Sequence, residues 1–254
     1  MLQKEWNVHI SHQSIENTIL GVEIENKASY TNESGYHVFD IQYISINNEW
    51  KYRYAILDAK LNVPIADDVL PDQRYKTIEK FLLDNLEDRY VKSITTDGQK
   101  EFRQILSKNR LYHQLCIFHT KRGINQKIKR HIRKNKLTGE EKLKLFNEKH
   151  LIFDIFNSKT FDEARNKLNN IIEQKESLSK FFKRNILRKI RDFFSNYGLY
   201  LKNPNVPRTS NIVENYFSKT MGKSFKKIYR SIKGIKCRIA ILSRRYTRRN
   251  GKAT

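Results

Sequence analysis

Cysteine is scarce in this chain: Cys116 and Cys237 are the two present among 254 residues, too few for a disulfide framework. Proline and glycine are also few, 4 and 9, which leaves little room for long linkers. With a hydrophobic fraction of 38%, the composition excludes disorder as a global state. No window approaches the ~18 apolar residues of a membrane span, and the opening MLQKEWNVHI lacks the apolar core of a secretion signal. These absences lead to the expectation of an intracellular protein with no membrane partner. Negative charge is scarce as well, 27 Asp+Glu against 50 Lys+Arg for a formal net charge of +23. A compact chain this positive repels itself unless a polyanion is near, so nucleic acid is the natural counter-charge, with steeply salt-dependent binding.

What is present divides by pattern. Residues 36–70 predict three strands, HVFDIQYISI, WKYRYAILDA and LNVPIADDVL, joined by turns at Asn47-Asn48 and Ala59-Lys60 as an antiparallel meander. A helix over about 75–88 carries Ile78, Phe81, Leu82 and Leu86 on one face. Then follow a strand (VKSITT), a helix opened by Asp97-Gly98 and a strand (YHQLCIF). The order β-β-β-α-β-α-β predicts an α/β fold, a mixed sheet covered by helices. From Lys121 to about Tyr200 strand signals vanish and the sequence is helical and basic. Asn203-Pro204 and Pro207 punctuate the return to SNIVENYFSKTMG and a long basic segment, read as two more helices. The expected organisation is therefore 36–120 as a sheet domain, 121–203 as an all-helical insertion, and 204–254 as the helices that complete the first domain. Ahead of these, residues 1–35 hold WNVHISHQSIENTIL, with Ser11 as cap and Ile15 and Ile19 inward. That stretch reads as part of a helix-turn-helix followed by a linker, or as a short helix leading into the sheet.

Three carboxylates stand out. Asp is depleted from strand interiors, yet Asp40 falls within a run of β-branched and aromatic residues, where a buried carboxylate calls for a cation or a metal. Asp97 ends a strand, where ligands gather in open sheets; Asp-Gly is also ordinary turn chemistry and Asp a common helix cap. Glu214 lies in Asn211-x-x-Glu214, which doubles as a capping box. If the strands of Asp40 and Asp97 are neighbours, the two acids approach across one strand spacing, about 4.8 Å. Glu214, from a helix over that edge, would then complete a site for two divalent metals able to drive in-line displacement at phosphorus. Asp58 is a rival first acid whose place at a strand end suggests a turn or supporting role, and Asp67 and Asp68 read as solvated edge residues.

The segment from Asp40 to Asp58, DIQYISINNEWKYRYAILD, resembles the opening hairpin of DDE transposases of insertion sequences. TTDG resembles their second acidic motif, LCIFHTKR the C-x-x-H element of Mutator-like members, and TSNIVENYF the Asn-x-x-Glu helix with the third acid. The resemblance covers about 36–122 and 204–250. It implies a ribonuclease H-like fold with a helical domain before the last catalytic helix, and catalytic, metal-holding roles for Asp40, Asp97 and Glu214. It further implies two Mg²⁺ or Mn²⁺ ions, transposon ends and target DNA as partners, a homodimer on DNA, and a nucleoid-associated prokaryotic protein in the cytoplasm. Both tryptophans, Trp6 and Trp50, lie outside the insertion, so a Trp there that stacks on a flipped base is not expected.

Candidate DNA contacts are Cys116, His119, Lys121, Arg122, Arg208, Asn211, Lys219 and Lys223. Cys116 and His119 form half of a zinc pattern, but no second pair supplies four ligands; they read either as a thiol on the last strand with a polar residue leaving it, or as groups beside the active site. The functional expectation is metal-dependent cleavage and strand transfer at transposon ends. The alternatives are an inactive DNA-binding remnant and a ribonuclease H-like nuclease without strand transfer.

Overall fold

The computed structural model describes residues 33–222 and 231–251; the helix-turn-helix reading of residues 1–32 and Lys223 lie outside them. The fold is α/β. Five strands, β1 (Tyr36–Ile46), β2 (Glu49–Asp58), β3 (Val63–Leu70), β4 (Ser93–Thr96) and β5 (His113–Leu115), form one sheet in the order β3-β2-β1-β4-β5. β2 and β3 are antiparallel, whereas β1 with β4 and β4 with β5 are parallel, so the sheet is mixed. Helices α1 (Tyr75–Leu86) and α2 (Lys100–Lys108) separate β3, β4 and β5, giving the β-β-β-α-β-α-β order expected from the pattern.

The turns explain the first hairpin. Asn47 and Asn48 have φ of 49° and 64°, the left-handed pair of a tight hairpin turn whose twist matches its strands. Between β2 and β3 the expected two-residue turn is instead a longer one, residues 59–62, and Asn62 takes φ 56°. Asp58 is the reason: its Oδ1 accepts from Lys60 N (2.8 Å) and Leu61 N (2.9 Å), while its carbonyl accepts from Asn62 N (2.9 Å).

Packing divides the chain into two compact units, one of 40–88 with the described residues from 213 onward, the other of 34–39 with 89–212. In the first, the apolar face of α1 buries Ile78, Phe81, Leu82 and Leu86 as the spacing predicts. Helices α6 (Asn211–Thr220) and α7 (Ile232–Asn250) close the chain. Ile44, Ile46 and Val69 of the strands cluster with Met221 and with Ile235 and Ile239 of α7.

In the second unit β5 ends at Leu115, earlier than YHQLCIF suggests, and α3 (Ile117–Asn135) begins at once. The β-favouring Cys-Ile-Phe run yields to the amphipathic period that follows, with Ile117, Ile124 and Ile128 buried on one face. Helices α4 (Gly139–Phe156) and α5 (Phe161–Glu173) follow, and a broken helical run from Lys180 to Lys202 includes a π-helical turn, Lys183–Leu187. Ile128, Ile152, Ile155, Leu168, Phe182 and Ile186 share the core of this unit. Thr138 and Glu141 form a reciprocal capping box that starts α4. No described helix is long and apolar enough to cross a membrane.

Candidate functional site

Along β1 the first four residues, Tyr36 to Phe39, are all buried; from Asp40 onward burial becomes intermittent. Asp40 is thus the first side chain of the strand that solvent reaches, and its Oδ1 accepts from Ile41 N at 2.8 Å. β4 repeats the arrangement: Ser93 to Thr96 are all buried, and Asp97, the next residue, is half-buried. Val38 and Thr95 are partners in the parallel β1–β4 ladder, and in each chain segment the acid follows two residues later.

Asp97 begins a tight turn. Its Oδ1 accepts from Gln99 N (3.1 Å) and Oδ2 from Gln99 Nε2 (3.3 Å). α2 starts at Lys100 with Gln99 in the cap place, so Asp97 is a turn residue and not the helix cap. Gly98 has φ +82°, and a Cβ there would meet Leu115 Cδ2 at 2.7 Å. Its N–H donates to Thr96 Oγ1 (3.1 Å), which also bonds His113 Nε2 (2.8 Å). Burial, and then the nearby Arg103 charge, pulls His113 down to about 3, which keeps it neutral.

Glu214 stands in the first turn of α6 and is half-buried. Because α6 begins at Asn211, Ser210 takes the place before the helix and Glu214 lies one position beyond that of a capping-box partner. In this unit α6 is held by a buried ionic cluster that the sequence reading placed in solvent. Arg53, wholly buried on β2, donates to both oxygens of Asp67 on β3, from Nε (2.9 Å) and Nη2 (2.6 Å). Tyr216 of α6 donates its hydroxyl to the same carboxylate, and the guanidinium lies 4.9 and 5.1 Å from the Tyr216 and Phe217 ring centres. Burial alone would lower Arg53; the Asp67 charge, with Tyr216, more than offsets this and raises it. Burial and Asp67 push Tyr216 well up, so its proton stays. Asp68, the other supposed edge residue, pairs with Lys236 of α7 at 2.6 Å. The missed signal lies in the hairpin register: Arg53 faces Val69 and Ala55 faces Asp67, so Arg53 and Asp67 are diagonal cross-strand neighbours.

Cys116 sits immediately before α3 and is wholly buried; it does not lie on the strand. Its sulfur accepts from Ser210 N (3.3 Å), and Ser210 Oγ lies 3.2 Å from His119 Nδ1. Burial pushes the thiol up, but hydrogen bonds from His119 and Ser210 carry it below its ordinary value. The remaining candidate contacts are individually placed. Lys121 donates to Asn157 Oδ1 (3.1 Å), Arg208 to Phe156 O (2.6 Å), and Lys219 to Asn250 Oδ1 (2.7 Å). Arg122 and Asn211 are exposed.

Asp40 and Glu214 therefore belong to the first unit, and Asp97, Cys116, His119, Lys121, Arg122, Arg208 and Asn211 to the second. Among the described residues no three His, Cys, Asp or Glu side chains are grouped so as to hold a metal ion by themselves.

No family model matches the chain. It is 31% identical over 232 residues, 90% of its length, to the "Insertion element ISM1 uncharacterized 48.3 kDa protein" of Methanobrevibacter smithii. The chain spans 57% of the length of that relative.

Proposed function

We propose that this chain is the catalytic part of an insertion-sequence transposase of the DDE type, with a ribonuclease H-like fold, acting on transposon ends and target DNA. One observation carries the reading. β1 and β4 are parallel neighbours with Val38 opposite Thr95, and in both an acid follows two residues later, where the strand first meets solvent. Similarity to an insertion-element protein over 90% of the chain and the net charge of +23 support the same reading.

In it, Asp40, Asp97 and Glu214 are the carboxylates that hold magnesium or manganese. Their hard oxygen donors suit these ions in kind, and magnesium takes one or two carboxylates together with substrate phosphate oxygens and water, so a closed protein cage is not required. Two such ions would activate a water or 3′-hydroxyl and stabilise the leaving oxygen at phosphorus. The chain's own contributions are to fix the three carboxylates and to supply cations that orient the DNA backbone. Two ends must be held together for strand transfer, so the working form is a homodimer on DNA.

The test is cleavage and joining of labelled element ends by the full chain with Mg²⁺ or Mn²⁺. Asp40→Asn, Asp97→Asn and Glu214→Gln should each lower product by at least about a thousandfold while binding to the same DNA stays within about threefold. Cleavage by all three variants at the wild-type rate would end the reading. Cleavage by the wild type without joined product would favour a nuclease, and binding without cleavage an inactive remnant.

A further inference from the structure

The second unit contains a row of cations that the carboxylate site does not use. Lys127 of α3 donates its Nζ to the carbonyl of Asn185 at 3.1 Å. Arg103 of α2 lies 4.2 Å from the ring centre of Phe193. Lys189 stands between these two positions on the same helical run, and its carbonyl accepts from Phe193 N at 3.2 Å, which fixes one of the intervening turns. The order along the run is therefore Lys127 at Asn185, then Lys189, then Arg103 at Phe193.

Three positive groups from separate elements gather here. None of them closes an ion pair with a carboxylate among the described residues, and Arg103 Nε is buried with no hydrogen-bond partner there. Lys127 and Lys189 are exposed. Packing partly shields the Lys189 ammonium; that desolvation, with the charges of Arg103 and Lys127, lowers its pKa, while Asp97 acts in the opposite sense. A cluster that raises the cost of its own charges is stabilised when an anion arrives. The eight residue steps from Asn185 to Phe193 span roughly 12 Å at helical rise, longer than a single phosphate group, so the fitting anion is a run of phosphates.

We propose that Lys127, Lys189 and Arg103 form a nucleic-acid phosphate track, in the same unit as Asp97, which grips successive phosphodiesters of one strand and positions the scissile bond against that acid. The positioning of the scissile bond rests on the catalytic reading above; the phosphate track does not.

The experiment measures binding of the full chain to a fluorescein-labelled duplex of about 20 base pairs by anisotropy, in EDTA, over about 50–300 mM KCl. EDTA removes cleavage from the readout, so failure here and failure of the catalytic reading are distinguishable. Lys189→Gln should flatten the slope of log K against log salt by about 0.9, the value for one lost phosphate contact, and weaken binding roughly tenfold. Lys189→Arg should restore both, and Lys175→Gln, an exposed lysine elsewhere in the unit, serves as the control for loss of one charge. Circular dichroism and the Tm of each variant verify folding; because Lys189 is exposed, its substitution should leave them unchanged. Lys127→Gln should repeat the slope change. If Lys189→Gln and Lys127→Gln both match Lys175→Gln in slope and affinity, the track does not exist.

Discussion

Arg53 and Asp67 pose the sharpest question about single side chains. A guanidinium wholly inside the first unit is tolerable because both Asp67 oxygens, the Tyr216 hydroxyl and two aromatic faces surround it. Removing one partner leaves an uncompensated buried charge, which costs about 3–5 kcal/mol. Asp67→Asn and Arg53→Met should therefore each lower unfolding free energy by roughly that amount in urea titrations, and loss of under about 0.5 kcal/mol would mean that the charges are solvated. Since Tyr216 lies two residues after Glu214, the proposed activity predicts that Tyr216→Phe lowers strand cleavage through the seating of α6, with less effect on DNA affinity.

His113 sets a pH dependence of its own. Its pKa falls from 6.5 in the ordinary state to about 3 when folded, so between these values the unfolded chain binds a proton that the native one refuses. Stability must then fall as pH drops through that window, with a slope of up to about 1.4 kcal/mol per unit from this group. Above 6.5 the group is neutral in both states and contributes no slope. His113→Gln should flatten the acid limb of a Tm-against-pH curve between those limits; an unchanged limb would assign it to other groups.

Turns and helix starts decide where the candidate acids stand. The bend after β4 favours Gly98, whose φ of +82° strains any side-chain residue and where a Cβ would also push on the Leu115 Cδ2 methyl, 2.7 Å away. Gly98→Ala should destabilise by about 1–3 kcal/mol through backbone strain, measurable by thermal unfolding, and should also displace Asp97 enough to depress cleavage. Several elements were legible from the chain alone. Asn47-Asn48 predicts a tight hairpin turn, and the 3.6-residue spacing of Ile78, Phe81, Leu82 and Leu86 predicts α1; both are present. The end of β5 was not legible. Cys116, Ile117 and Phe118 favour strand, but α3 captures Ile117 for its buried face and leaves Phe118 partly exposed. Asn211-x-x-Glu214 misled in a related way, because the cap pattern tolerates a shift of one residue and α6 begins at Asn211 itself.

For the molecule as a whole, charge dominates. With a net +23, affinity for any DNA should fall steeply with salt, by about 10³ or more between 50 and 200 mM if six or more phosphates are contacted. A filter-binding series on unrelated duplex DNA measures this slope, and a flat response would remove nucleic acid as the counter-charge. Composition leads to the expectation of nucleic acid as partner because charge is additive along the chain, and alternating and helical periods were enough to predict the α/β fold with the order β-β-β-α-β-α-β because those signals are local. The pairings were a different matter. That Asp67 lies inside against Arg53, that the Cys116 sulfur accepts from Ser210 N, and that Lys127 and Arg103 both meet the helical run that carries Lys189 each join residues remote in sequence. Such contacts arise when elements pack. An Asp in an edge strand or a Lys on a helix carries the same local signature whether water or another side chain meets it.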